Sequence, residues 1–337
     1  MKKELSKQIE KNLQDIPEGT LQIERHPYEQ KKNNLFTDSF QTSIKGKGKM
    51  IVYQVFPGIQ LSLNYFRADQ ISFRHEAHSH ILEINHSHAG RIGWNFKDGT
   101  SAYLGEGDLA FHSMDYCADS VILLPLGYCE GITISVNLEE LNAHPLPILK
   151  EAGVDTEKLH QNYCIPGKSM VITTSDNIDG IFCPLYHLPE RFRVPYFQLK
   201  IQELLLYLSL DSTKQSDLAS YGTSQTAIIR EIHHQLTSHL DHRFTIGELS
   251  KQYLINTSSL KETFKGVYGL PVATYMKEYR IRKSMEFLRQ PDCSIAEIAA
   301  KVGYETQGKF TKAFKDVTGI TPSAYRKKYQ EGGPGQS

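Results

Sequence analysis

Two stretches in the last third of the chain carry one pattern about fifty residues apart. The first runs Ile246-Gly247-Glu248-Leu249-Ser250 through Leu260-Lys261-Glu262-Thr263-Phe264-Lys265 to Gly269, and the second runs Ile295-Ala296-Glu297-Ile298-Ala299 through Phe310-Thr311-Lys312-Ala313-Phe314-Lys315 to Gly319. Leu260 and Phe310, Phe264 and Phe314, Lys265 and Lys315, and Gly269 and Gly319 each stand fifty residues apart. Leu260 with Phe264, and Phe310 with Phe314, are i and i+4, so each pair shares one helix face. Each copy therefore reads as a short helix, a tight turn and a second helix with an apolar side and a polar side. Two helix-turn-helix units of this kind can set two recognition helices against one face of a DNA duplex.

In the second copy, 295–301 reads as the first helix and Val302-Gly303-Tyr304 as the turn, where Gly303 can take positive φ at no steric cost. Thr306 suits the N-cap of a recognition helix over 307–317. With Phe310 and Phe314 inward, Gln307, Gly308, Lys309, Thr311, Lys312 and Lys315 are left for DNA. Lys and Gln can bond base edges, and Thr a base or a phosphate. In the first copy Asn256 is the N-cap, Leu260 and Phe264 face inward, and Thr257, Ser258, Lys261, Glu262 and Lys265 face out. Glu262 repels phosphate; it either accepts from a cytosine amino group or pairs with Lys261 or Lys265. Leu254 stands where the second copy has its turn glycine, so the two copies are not equivalent.

Net charge is zero over the 337 residues, but it is unevenly split. Residues 226–329 hold 17 Lys+Arg against 10 Asp+Glu, a net +7, and the remainder holds 21 against 28, a net −7. A basic C-terminal module beside an acidic N-terminal one fits a polyanionic partner for the former. The five cysteines are scattered with no CxxC, which fits a reducing cytosol. The start of the chain lacks an apolar signal core, and no run approaches the ~18 apolar residues that span a bilayer. The expectation is a cytoplasmic protein with no membrane partner.

Residues 1–45 are polar and lysine-rich. From Lys49 to Asn137 the pattern becomes short alternating runs, with strands expected over 50–55, 59–65, 81–85, 91–96, 108–111 and 131–136 and turn signals such as Lys97-Asp98-Gly99 between them. Many short, closely spaced strands suggest an antiparallel barrel or jelly roll. Helical patterns follow, over 138–141, over 175–188 with a break near Pro184, and over 196–210. In the last, Phe197, Ile201, Leu204, Leu205 and Leu208 form an apolar stripe that serves either packing on the barrel or a dimer contact. Residues 211–225 read as an interdomain linker, 226–330 as all-helical, and 331–337 as a disordered tail.

Residues 226–329 resemble the DNA-binding domain of the AraC/XylS family of bacterial transcription regulators. The matching stretches are 281–288, 295–304 and Phe310-Thr311-Lys312-Ala313-Phe314-Lys315 through 319–326, about a third of the chain. The resemblance implies seven helices, with a long helix holding two recognition helices in successive major grooves. Two departures, Ser250 for the usual Ala and Leu254 for the usual Gly, both fall in the first unit. The family usually carries an N-terminal effector or dimerisation domain, and residues 46–210 fit a cupin-like antiparallel β-barrel with helices. The full expectation is thus a multidomain α+β chain. Segments 82–85, 90–91, 103–109 and 124–132 also resemble the PchR-like siderophore-responsive subgroup, which implies an iron chelate or another small metabolite as effector.

His78, His80 and Glu83 resemble the HxH…E of metal-binding cupins, with His112 as a later ligand, and i and i+2 share a strand face. Regulatory cupins often lack the metal, and His86 and His88 make the stretch simply His-rich. The reading adopted is an effector pocket of His78, His80, Glu83, Arg91, Trp94 and His112, with no metal, no cofactor and no catalytic residue. Trp94, the lone tryptophan, reads as core in preference to a ligand platform. The chain is expected to be a DNA-binding transcription regulator, an activator by family habit. Its expected partners are double-stranded DNA, RNA polymerase, a small-molecule effector and a second copy of itself. The alternatives are a constitutive regulator whose barrel only dimerises, or a metal-dependent cupin enzyme fused to a DNA-binding domain.

Overall fold

The computed structural model describes residues 2–27, 41–210, 215–290 and 293–331. The chain divides into two units between Thr223 and Ser224. In unit 1, α1 (Lys2–Leu13) precedes β1 (Leu21–His26), β2 (Gln41–Phe56), β3 (Ile59–Arg74), β4 (Ile81–Gly90), β5 (Ile92–Asn95), β6 (Thr100–Leu104) and β7 (Leu109–Ser113). Then come α2 (Met114–Cys117), β8 (Val121–Leu123), β9 (Cys129–Asn137), α3 (Leu138–Ala143), α4 (Pro147–Glu151) and α5 (Thr156–Tyr163). β10 (Met170–Ile172), α6 (Asp176–Phe182), a 3-10 turn (Cys183–His187), α7 (Glu190–Leu208), β11 (Ser216–Asp217) and β12 (Ser220–Gly222) complete it. Among the described residues the strands make one 12-stranded sheet in the order β11-β10-β7-β4-β9-β3-β8-β5-β6-β12, with β2 on β3 and β1 parallel to β2. The other pairings are antiparallel, and the sheet curls into the expected barrel-like form.

Period-two alternation gives the sheet two unlike faces. On one face Leu82, Ile84, Phe111, Ile132 and Ile134 pack against Phe197, Ile201, Leu204 and Leu205 of α7. The other face is the barrel interior, where Ile81, Trp94 and Ala110 lie in a separate apolar cluster. The α7 stripe is thus consumed by the chain's own core, as one of its two readings had it. The outward side of α7 exposes Phe192, Tyr196 and Leu199.

The structure moves two expected boundaries and keeps a third. The described residues within 1–45 are not a separate polar segment: Ile9, Leu13 and Ile16 are buried in the main core, and β1 extends the sheet along β2, which itself begins at Gln41. Polar residues on the outward faces hid the apolar spacing. The region 175–188 is broken as expected at Pro184, with α6 before and a 3-10 turn after. Within the expected linker 211–225, residues 216–222 are part of the barrel and 223–225 open the next helix. β11 pairs with β10 and β12 with β6, the two ends of the strand order, and only Leu218 and Ala219 join them. Leu218 donates its N–H to the Ser169 carbonyl at 2.8 Å and packs on the interior cluster. These residues staple the barrel's seam; residues 211–214 and the tail 332–337 lie outside the described residues.

Unit 2 has the seven helices that the resemblance implies: α8 (Thr223–Ser238, its first residue closing unit 1), α9 (Ile246–Gln252), α10 (Thr257–Tyr268), α11 (Val272–Leu288), α12 (Ile295–Lys301), α13 (Gln307–Thr318) and α14 (Pro322–Glu331). Thr226, Ile229, Ile232 and Leu236 are the buried residues of α8. α11 runs between the two helix pairs, burying Tyr275, Met276, Ile281 and Leu288. No described helix is long and apolar enough to cross a membrane.

Candidate nucleic-acid interface and barrel interior

The two helix pairs of unit 2 are built alike. Thr245 and Ser294 each close a capping box, with Glu248 and Glu297, and start α9 and α12. Asn256 accepts from the Ser259 N–H at 2.7 Å and Thr306 from the Lys309 N–H at 3.3 Å, which starts α10 and α13. Both recognition helices end on a left-handed glycine, Gly269 at φ 83° and Gly319 at φ 79°. Leu260 and Phe264, and Phe310 and Phe314, are fully buried. Inward packing of these residues fixes which side of each helix faces out.

The turns differ. Both put their second residue in the left-handed region, Leu254 at φ 52° and Gly303 at φ 77°. Leu254 meets nothing: its side chain is 94% exposed. Gly303 is buried against the segment joining α8 and α9, where a Cβ would lie 2.2 Å from the Leu240 carbonyl oxygen. Arg243 donates Nε to the Gly303 carbonyl at 2.8 Å, and Arg280 of α11 donates to the Leu240 and His242 carbonyls at 3.2 and 2.8 Å. These bonds tie the second turn to the first unit's approach. Glu305 is an extra residue in the second turn, since the first helices repeat at 49 residues and the recognition helices at 50.

Every residue expected to face DNA is on a recognition helix. Thr257, Ser258, Lys261, Glu262 and Lys265 of α10, and Gln307, Lys309, Lys312 and Lys315 of α13, are exposed; Thr311 is half-buried. Lys309 is engaged in an ion pair with Glu305. Among the described residues no ion pair joins Glu262 to Lys261 or Lys265. Ser258, Lys261, Glu262 and Lys265 line a cleft of about 900 Å³ whose far wall includes Met276 and Arg280 of α11. The α10 face is thus partly recessed.

The six residues expected to bind an effector in unit 1 do not gather as one set. Glu83, Trp94 and His112 do. Glu83 and His112 are register partners on β4 and β7, with His112 Nε2 3.4 Å from the Glu83 carboxylate. Trp94 meets His112 edge-on at 5.5 Å. His78 and His80 do not share a strand face, because β4 starts only at Ile81 and both lie in the loop before it, their rings meeting edge-on at 5.6 Å. Arg91 sits apart, near Asp108 and the Gly105 turn. Trp94 is both core and cavity wall.

The fold adds residues that the sequence did not single out. Cys117 donates its thiol to Glu83 at 2.9 Å, and His75 Nε2 lies 3.8 Å from the same sulfur. Asn64 donates to Thr133, which donates to Asn85, at 2.9 and 2.8 Å. These groups border a cavity of about 70 Å³ capped by Met50, Phe66, Phe73 and Ile122. Burial pushes the Glu83 carboxyl up, but the His112 hydrogen bond and charge outweigh it and hold it below the usual carboxylate range. Burial, and then Glu83, push the Cys117 thiol well up. The cupin resemblance had pointed to Glu83 and His112; nothing in the sequence pointed to Cys117, Asn64, Asn85 or Thr133 beside them.

Residues 249–328 match the family described as "Helix-turn-helix domain". Over 108 residues the chain is 32% identical to an uncharacterized HTH-type transcriptional regulator, YtdP, of Bacillus subtilis, covering 32% of this chain and 14% of that one. Over 86 residues it is 34% identical to the transcriptional activator RhaR of Pectobacterium carotovorum, covering 26% and 30%. A putative AraC-like transcription regulator of Streptomyces antibioticus is 34% identical over 86 residues, covering 26% and 28%. The chain thus spans less than a third of the length of each of these three relatives.

Proposed function

We propose that this chain, whose residues 249–328 form a helix-turn-helix domain similar to those of AraC-like transcription regulators, is a sequence-specific DNA-binding regulator governed by its barrel. The observation that carries the reading is the pair of capped 12-residue helices, each with an apolar side buried and a polar, lysine-bearing side exposed. The net +7 of residues 226–329 supports a polyanionic partner. α13 is the stronger reader, because Gln307, Lys312 and Lys315 stand exposed on it and its turn is locked by Gly303, Arg243 and Arg280.

In this reading the barrel interior is the effector compartment, and an effector acts by binding two states of the chain unequally. Activation follows the printed function of RhaR, and with it comes contact with RNA polymerase. A second copy would meet the exposed Phe192, Tyr196 and Leu199, not the buried α7 stripe. The subgroup resemblance makes an iron chelate one ligand class to test. A 70 Å³ cavity is far below the ~300–1,000 Å³ of ordinary small-molecule pockets, so an enclosed chelate would require the barrel to open.

Selection from a random duplex pool tests the reading: the full chain should enrich one sequence, and the absence of any preference would overturn it. On the selected duplex, Lys312→Ala should weaken binding by ~1–3 kcal/mol with relaxed preference at one position if Lys312 reads a base. A uniform loss with a shallower salt dependence would make it a phosphate contact. No effect would exclude this placement of α13.

A further inference from the structure

The barrel interior brings together three groups whose chemistry is shared by metal centres. Glu83 comes from β4, His112 from β7 and Cys117 from the end of α2, and their ligand atoms all lie within 4.8 Å of one another. His75, just past β3, approaches Cys117 at 3.8 Å. From this geometry we infer that Glu83, His112 and Cys117 bind one divalent metal ion of the zinc class, with His75 as fourth ligand.

Three properties favour this. The first is distance. Zinc bonds of about 2.0–2.3 Å place tetrahedral ligand atoms about 3.3–3.8 Å apart. His112 to Glu83 is 3.4 Å and Cys117 to His75 is 3.8 Å; the 2.9 Å between Cys117 and Glu83 must open by about half an ångström once the thiol proton leaves, and His75, which stands outside the cluster of three, must swing inward to complete the tetrahedron. The second is charge. One carboxylate, one thiolate and two neutral imidazoles balance a divalent ion, leaving a buried site with no net charge. Binding converts the Cys117 thiol to thiolate and releases its proton to solvent.

The third is the outer shell. His75 Nδ1 lies 2.8 Å from the Glu76 carbonyl, which can only accept, so Nδ1 carries the proton and the Nε2 lone pair points toward Cys117. His112 Nδ1 faces the Ser169 hydroxyl at 3.5 Å, a group that accepts from the ring in the tautomer with Nε2 unprotonated; the Asn85 amide, 3.5 Å from Nε2, gives way to the ion. The site opens on the 70 Å³ cavity, which has room for water or a small ligand beside the ion. His78 and His80 take no part.

Cobalt titration of the chelator-stripped full chain reads the site directly and is indifferent to DNA. One equivalent of Co(II) should give tetrahedral visible bands with a thiolate charge-transfer absorption, and Zn(II) should displace it. Cys117→Ser should lose the charge transfer. His75→Gln, at a half-exposed rim position that the fold tolerates, should keep it but weaken Zn(II) by about tenfold or more. His78→Ala with His80→Ala should change nothing. The inference falls if one equivalent gives no charge transfer, if Cys117→Ser retains it, if His75→Gln leaves the affinity unchanged, or if the His78/His80 variant loses binding. Trp94 fluorescence establishes that each variant is folded.

Discussion

Gly303→Ala should unfold the second helix-turn-helix unit at a temperature or urea concentration where the rest of the chain is intact, with a loss of about 3 kcal/mol or more. Two costs add. Gly303 holds φ 77°, a region an alanine enters at a penalty, and its new Cβ would lie 2.2 Å from the Leu240 carbonyl oxygen. The Leu240 backbone cannot withdraw freely, because Arg280 and Arg243 hold this junction. The matching change in the first unit should do the reverse. Leu254→Gly relieves a left-handed leucine, 94% exposed, and should raise stability by up to about 1 kcal/mol. The readout separates the units. Trp94 is the only tryptophan and lies in unit 1, so Gly303→Ala should shift the helical circular-dichroism transition and leave the Trp94 fluorescence transition in place. A tolerated Gly303→Ala would mean that the second turn is not locked as described.

The second large effect is a pH dependence of unit 1. Glu130 is 0% exposed and, among the described residues, neither carboxylate oxygen has a partner. Burial pushes its carboxyl from 4.5 up to about 7. Between those values the native chain binds a proton that the unfolded chain has released, so this contribution falls as pH rises and is gone above about 7. Its size is about 3 kcal/mol. His86 acts in the opposite sense: burial, then His88, depress its imidazole from 6.5 to about 3, so its contribution is present above pH 6.5 and lost as pH falls toward 3. The two slopes cancel between 4.5 and 6.5. Glu130→Gln should leave the Trp94 transition unchanged at pH 4.5 and raise its stability by several kcal/mol at pH 8. An equal effect at both pH values would show that Glu130 is not a buried acid.

Local patterns made much of the molecule legible. The i,i+4 pairs of Leu260 with Phe264 and Phe310 with Phe314 fixed both recognition helices, and alternation located the main strands. Glu83 and His112 were legible as polar residues among apolar runs. Cys117 and His75 were not, because nothing along the chain says that α2 folds back beneath β4. Glu130 was hidden inside an otherwise apolar strand and carries no pattern of its own. The seam at Ser216–Gly222 looked like a linker because its few polar residues owe their strand form to β10 and β6.

The chain by itself determined the two-part organisation, the basic C-terminal half and the inward sides of its helices, since periodicity and charge are properties of neighbours in sequence. The tertiary structure alone decided that Gly303 is buried while Leu254 is bare, that the barrel is closed by its supposed linker, and that a carboxylate, an imidazole and a thiol share one corner. The contacts behind them, Glu83 with His112, Gly303 with Leu240 and Tyr221 with Ser101, join residues 29, 63 and 120 positions apart, where contact is set by sheet order and packing, not by spacing along the chain.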